Sequence, residues 1–167
     1  GSLAAGTGTF GISTQCTDRF HVYNQASRTL TTLPDSIAVG SRASYNPATG
    51  KLYANRNPGA GPYFVLETNT ASKGFLAADV DLQAINGVTN KLYGTTQAGT
   101  IARLDGTTET ILNQVTVVGQ NSQMAVNTLR DHLYVGTASE IQILDGALNS
   151  VGSYTLPDGY TPARLVV

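Results

Sequence analysis

The sequence predicts an all-β chain assembled from repeated four-stranded antiparallel sheets. Three observations point there: a motif returning about every forty residues, short runs rich in Val, Ile, Leu, Tyr and Thr, and no sustained 3.6-residue apolar stripe. The motif Asn46-Pro-Ala-Thr-Gly-Lys-Leu-Tyr53 recurs as Asn86-Gly-Val-Thr-Asn-Lys-Leu-Tyr93 and as Asn127-Thr-Leu-Arg-Asp-His-Leu-Tyr134, at offsets of 40 and 41 residues. Ile101-Ala-Arg-Leu-Asp-Gly106 likewise matches Ile141-Gln-Ile-Leu-Asp-Gly146. A lone four-stranded sheet cannot bury both faces, so sheets of this kind stack on one another, as in a β-propeller.

Each element of a unit follows from its turns. In the third full unit, strands are expected over 123–127, 132–137, 140–145 and 150–155, forming a meander. Ala48-Thr-Gly50, Thr89-Asn90, Asp105-Gly106 and Asp145-Gly146 supply the turns. Complete units begin near Arg42, Leu82 and Gln123. A fourth is expected to be shared between the ends, with 163–167 as its innermost strand and 7–14, 19–24 and 27–33 as the outer three. The expectation is one domain over 1–167: a β-propeller of four-stranded antiparallel blades, four in number, closed by overlap of the termini so that no edge is left to aggregate. Two chains forming an eight-bladed ring, or truncation of a longer array, are the alternatives.

Composition narrows the function classes. Charged residues make up 13 % of the 167, with a net charge of −1 and only Lys51, Lys73 and Lys91 as lysines. No basic field exists for phosphate backbones, so no nucleic-acid partner is expected. Apolar residues come in short groups, far from the roughly 18 to 20 that would span a bilayer as a helix, so no membrane insertion is expected either. One cysteine, Cys16, excludes an intramolecular disulfide or a thiolate cluster. Abundant Thr, Ser, Asn and Gly is the texture of secreted or surface β-proteins, and an extracytoplasmic setting is expected. Gly1-Ser2 reads as a cloning scar, and no charged-then-apolar leader opens the chain.

The Asn-x-x-x-(Gly/Asn/Asp)-(Lys/His)-Leu-Tyr motif, best developed at His132-Leu-Tyr-Val-Gly136, resembles YVTN-type and related NHL-like β-propeller repeats. The likeness covers about 120 residues and departs from the pattern at Tyr53-Ala54 and Tyr93-Gly94, where the usual valine is missing. What the resemblance implies is a binding scaffold of surface proteins, without a catalytic motif to carry over.

Chemistry is expected at three places. Aligned on the motif Asn, Arg42, Leu82, Gln123 and Arg164 are equivalent, so Arg42, Gln123 and Arg164 are candidates for anion or carboxylate binding in an axial channel. The competing reading pairs each Arg with an acid such as Asp35 or Asp158, or leaves it in solvent. Asp35, Asp79 and Asp158, with Gln120 in register, are weak candidates for a hard cation, against ordinary turn roles for Asp after Pro. The irregular Asn55-Arg-Asn-Pro-Gly-Ala-Gly-Pro-Tyr63 breaks the repeat, so Arg56, Asn57 and Tyr63 are candidate recognition residues for a protein or glycan. Cys16, Asp18 and His21 lack a third group and oxyanion donors and are not expected to be catalytic. His132 sits in the lysine slot and reads as an exposed turn residue. Tyr53, Tyr93 and Tyr134 read as packing between sheets.

The expected function is a non-enzymatic binding or assembly module of a secreted or surface structure, without a cofactor, acting on a protein or carbohydrate as monomer or homodimer. The alternatives are a channel-mouth metal-dependent lyase or hydrolase, and a purely structural domain of a fibre or pilus-like assembly.

Overall fold

The computed structural model describes residues 3–6, 9–14, 19–24, 27–32, 39–56, 63–68, 72–117, 119–158, 160–162 and 165. Sixteen strands among them form four four-stranded sheets. The first sheet holds β1 (Leu3–Gly6), β2 (Thr9–Thr14), β3 (Arg19–Asn24) and β4 (Thr29–Thr32), and the second β5 (Val39–Asn46), β6 (Lys51–Arg56), β7 (Phe64–Glu67) and β8 (Ser72–Phe75). The third comprises β9 (Val80–Asn86), β10 (Lys91–Thr96), β11 (Ile101–Asp105) and β12 (Ile111–Val115). The fourth comprises β13 (Gln120–Asn127), β14 (His132–Thr137), β15 (Glu140–Asp145) and β16 (Ser150–Thr155). Every sheet is an antiparallel meander in chain order. The chain divides into two compact units, Gly1–Asp79 with the first two sheets and Val80–Val167 with the last two.

The expected sharing of a sheet between the chain ends is corrected. The innermost place of the first sheet is held by β1, which pairs Leu3 with Ile12 and Gly6 with Thr9. A short local hairpin takes that edge, and chain continuity makes it the cheaper partner. Leu165 lies outside any strand, and the rest of 163–167 is outside the described residues.

The repeat motif has a direct physical reading. Its Asn ends the first strand and folds its amide oxygen back over the turn. Asn46 Oδ1 accepts from Ala48 N (3.1 Å), Asn86 Oδ1 from Val88 N (3.0 Å), and Asn127 Oδ1 from Leu129 N and Arg130 N (3.1 Å each). Four residues on, the chain turns left-handed at Gly50, Asn90 and Asp131, with φ of 68°, 54° and 52°. Gly, Asn and Asp are the residues that tolerate this conformation best, which is why that slot carries them.

A second turn class joins strands three and four. Asp105 Oδ1 accepts from the amides of Thr107 and Thr108, and Asp145 Oδ1 from those of Ala147 and Asn149, all at 2.8 Å. These are the expected Asp-Gly turns, but the left-handed residues are Glu109 and Leu148 instead of the glycines. Gly146 gives room of another kind: a Cβ there would fall on the Asp131 carboxylate and within 2.5 Å of Lys91 Nζ, so those side-chain ends would have to shift.

Burial falls towards the last strand of the second, third and fourth sheets. Leu52, Leu92 and Leu133 of the second strands are buried, whereas every residue of β4 and β16 is exposed. In the second unit one core joins both sheets: Ala84, Tyr93, Ile101 and Val117 pack with Met124, Leu133, Val135, Leu144 and Leu148. The outer strands β12 and β16 each carry one extra residue, Leu112 and Val151, opposite a regular partner strand. Such bulges interrupt the free edge that would otherwise template pairing with another chain.

Candidate functional site

Each of the last three sheets has two ends of different character. At one end lie the Asx-anchored turns described above. At the other lie the connections between second and third strands and the passages from one sheet to the next. In the last two sheets the second strand ends on Thr96 or Thr137, which caps a short turn: Thr96 Oγ1 meets Thr100 Oγ1 at 2.8 Å, and Thr137 Oγ1 donates to Glu140 O at 2.9 Å. Thr14 holds the same slot in the first sheet, but the second sheet has Arg56. There the connection to the third strand is 57–63, longer than 97–100 or 138–139. The stretch expected from the broken repeat as a recognition loop thus falls in the longer connection, next to Arg56 in the threonine slot.

The candidate residues fall unevenly. Tyr63 is only 7 % exposed and its carbonyl accepts from Leu76 N at 2.8 Å, so it is corrected from a contact residue to part of the packing. Arg56 closes β6, and its side chain and all of Asn57 lie outside the described residues. Arg42 and Gln123 sit in the irregular stretches of β5 and β13, where pairing skips from Val39 to Ala43 and from Gln120 to Met124. Their equivalent Leu82 is buried, while Gln123 is partly exposed. Arg164 and Asp35 lie outside the described residues, and Asp79 and Asp158 are exposed beyond β8 and β16. Among the described residues no three His, Cys, Asp or Glu side chains gather as a metal would need. His21 Nδ1 meets Thr32 Oγ1 at 3.0 Å across the β3–β4 pair, while Cys16 and Asp18 are outside the described residues. Tyr53 and Tyr93 are fully buried, as packing residues should be, but Tyr134 is half-buried.

A polar cluster that sequence reasoning missed joins the third sheet to the fourth. Asp131, at the left-handed position after β13, accepts from Asn86 Nδ2 (2.6 Å) and Thr89 Oγ1 (3.0 Å) and pairs with Lys91 Nζ. Arg103 donates to Gly146 O at 2.7 Å and Asn113 Nδ2 to Ala147 O at 2.8 Å. Burial alone would raise the Asp131 pKa. The bonds from Lys91, Thr89 and Asn86 and the ammonium charge outweigh it, so the carboxyl is held below its usual range. Just inside, burial pushes the Tyr93 hydroxyl well above the usual phenol range, with Asp131 adding to the effect and Arg103 opposing it. Tyr93 Oη and Arg103 Nε are buried without a hydrogen-bond partner among the described residues. The sequence signal was present: an acid in a slot that elsewhere holds Gly or Asn, 40 residues after a lysine.

The same end carries two apolar turn tips, Val88 at 74 % and Leu129 at 94 % exposure, each two residues after a motif Asn. The turn bond to the Asn side chain holds these tips in place while leaving the side chains in solvent.

No protein-family model matches the chain, and no curated protein matches it. Solved structures do. Apo AztD from Citrobacter koseri superposes with a TM-score of 0.71 at 15 % identity, over 95 % of this chain and 47 % of that one. BamB from Moraxella catarrhalis gives 0.61 at 16 % identity, over 99 % and 52 %. A chain of a nidogen/laminin complex gives 0.61 at 14 % identity, over 92 % and 62 %. These are β-propellers, and the likeness shows that fold for the sheets of this chain. The chain spans about half the length of the first two structures.

Proposed function

We propose that this chain is a non-enzymatic binding and assembly module whose four sheets act as four propeller blades of one domain, of the YVTN-type or NHL-like kind, in a secreted or surface structure. The observation that carries the reading is the connection 57–63, longer than its counterparts in the last two sheets and preceded by Arg56 where they have a threonine. Sheets rigidified by side-chain-capped turns present such a loop at little entropic cost on binding. Arg56 and Asn57 supply a guanidinium fork and an amide, suited to carboxylates and hydroxyls of a protein or glycan partner. Arg42, Gln123 and Arg164 stay separate candidate contact residues, the two guanidiniums suited to a carboxylate of the partner. A protein partner is favoured, since one of the similar structures is a nidogen/laminin complex. A polar, lysine-poor surface supports an extracytoplasmic setting.

The test replaces 57–62 by the short Gln97–Thr100 turn and compares both chains on a glycan panel and a displayed peptide library. The unaltered chain is expected to enrich binders that the shortened one loses, with no change in melting temperature. Binders shared equally by the two chains would remove the loop from the recognition surface.

A further inference from the structure

In an antiparallel ladder the N–H and C=O of one residue point to the same side, and the side alternates along the strand. The amide of Leu156 sets the phase for β16: it donates to Ser139 O at 2.8 Å. That bond continues the register pairing Thr155 with Glu140, Tyr154 with Ile141, Ser153 with Gln142 and Gly152 with Ile143. Gly152 and Tyr154 therefore bond inward to β15, while Ser153 and Thr155 turn both their backbone groups outward. β16 is the last strand of its sheet, every residue in it is exposed, and Ser-Val-Gly-Ser-Tyr-Thr holds no charge.

The other outer strands are blunted, each in its own way. β8 includes Lys73, a residue type that edge strands use against added strands. In β12 the amide of Gln114 is taken by Asn113 Oδ1 at 2.8 Å, next to the bulge at Leu112. β4 is four residues long, and its Thr32 hydroxyl meets His21 Nδ1. In β16 the bulge falls at Val151, before the regular stretch 152–155 begins. The place of Asn113, across from Arg103 in the Tyr93 row, is held there by Gly152, across from Ile143 in the Tyr134 row. A glycine has no side chain with which to cap the next amide.

We propose that the outer edge of β16 is a docking site for an extended segment of a partner protein, which adds a fifth strand to the fourth sheet through the backbone groups of Ser153 and Thr155. The hydrogen-bonding chemistry selects this occupant. Two residues spaced two apart, each offering a donor and an acceptor in the plane of the sheet, match the period of an extended backbone. The contact continues the ladder that already runs from β13 to β16. Side chains add selectivity. A Cβ on Gly152 would meet nothing within 4 Å, and Tyr154, on the same face, is 62 % exposed. An aromatic or β-branched residue of the added strand opposite Gly152 fills that gap beside the ring. The proposal does not depend on the 57–63 loop.

Amide hydrogen exchange read by NMR on the 167-residue chain tests this, with an end-blocked synthetic peptide Thr-Val-Thr-Tyr-Thr-Val-Thr, flanked by one lysine on each side for solubility, as the probe. In the chain alone Ser153 and Thr155 should exchange fast and Tyr154 slowly. Saturating peptide should slow Ser153 and Thr155 on the order of tenfold or more, and the same peptide N-methylated at alternate amides should slow neither. Ser153→Pro removes one outward donor at an edge position that tolerates proline. It should abolish the protection of Thr155 with an unchanged circular dichroism spectrum, and Thr155→Pro, as a second variant, should do the same for Ser153. A peptide that slows neither amide at millimolar concentration, or whose protection survives both proline variants, overturns the proposal. Slow exchange of both amides in the chain alone overturns it too, and growth of that protection with chain concentration would assign the edge to a second copy.

Discussion

The two tyrosine faces of the second unit are built on one plan, yet Tyr93 is sealed within a seam and Tyr134 is half open. The difference lies in what surrounds the rings. Around Tyr93 a polar margin of Asn86, Thr89, Lys91 and Asp131 closes over an apolar interior of Ile101, Met124, Leu133 and Val135. Around Tyr134 the apolar and amide residues recur, but the lysine has become His132 and the arginine position Ile143. The repeat supplies the packing of a seam, and the Lys91–Asp131 pair adds the charge that latches the third sheet to the fourth.

The largest effect that sharpens this contrast is expected from truncation on the two sides of the fourth sheet. Leu133→Ala, inside the sealed core, should cost about 2–5 kcal/mol, read from urea midpoints at constant m. Ile143→Ala, on the half-exposed face, should cost about 1 kcal/mol. Equal losses would mean that the two faces are equally covered.

Next in size is Gly146→Ala. The new methyl group meets the Asp131 carboxylate and Lys91 Nζ, so the latch must give way. A loss of about 1–3 kcal/mol is expected. Gly152→Ala, where a Cβ meets nothing within 4 Å, serves as the matched control and should lie within about 0.5 kcal/mol of the unaltered chain. If the two alanines were equally harmless, the close approach of the two sheets at Asp131 would be wrong.

A smaller effect is expected from pH. The folded-state pKa of Asp131 is depressed, so its contribution is complete above the unfolded carboxylate range, near 4, and is lost as pH falls through the lowered folded value. With both side chains about a quarter exposed, about 1 kcal/mol is expected. Asp105 and Asp145 are depressed as well, Asp105 chiefly by the amide of Thr108 and Asp145 chiefly by the side chain of Asn149, and they titrate in the same direction. Urea midpoints measured from neutral pH down to pH 2 should therefore fall less steeply for Asp131→Asn than for the unaltered chain. Parallel curves would separate Asp131 from the latch.

Strand order, turn positions and the packing tyrosines of the middle sheets were legible because each rests on local chemistry: an Asn that bonds two residues on, and a slot that demands a left-handed residue. The place of Leu3–Gly6 was not legible, since the run Leu-Ala-Ala-Gly has neither the motif Asn nor alternation. Tyr63 was misplaced for a related reason. It ends an irregular Gly- and Pro-rich stretch, and only its register against Leu76 shows it turning inward. The Asp131 cluster escaped because its members lie 40 or more residues apart and become neighbours only once two sheets stack.

The central claim is that the third and fourth sheets are neighbouring blades joined through this latch, and a double-mutant cycle on Lys91→Met and Asp131→Asn measures it most directly. A coupling of about 0.5–3 kcal/mol at low salt, shrinking as salt is added, is the predicted result. Additivity within about 0.3 kcal/mol at every salt concentration would contradict it.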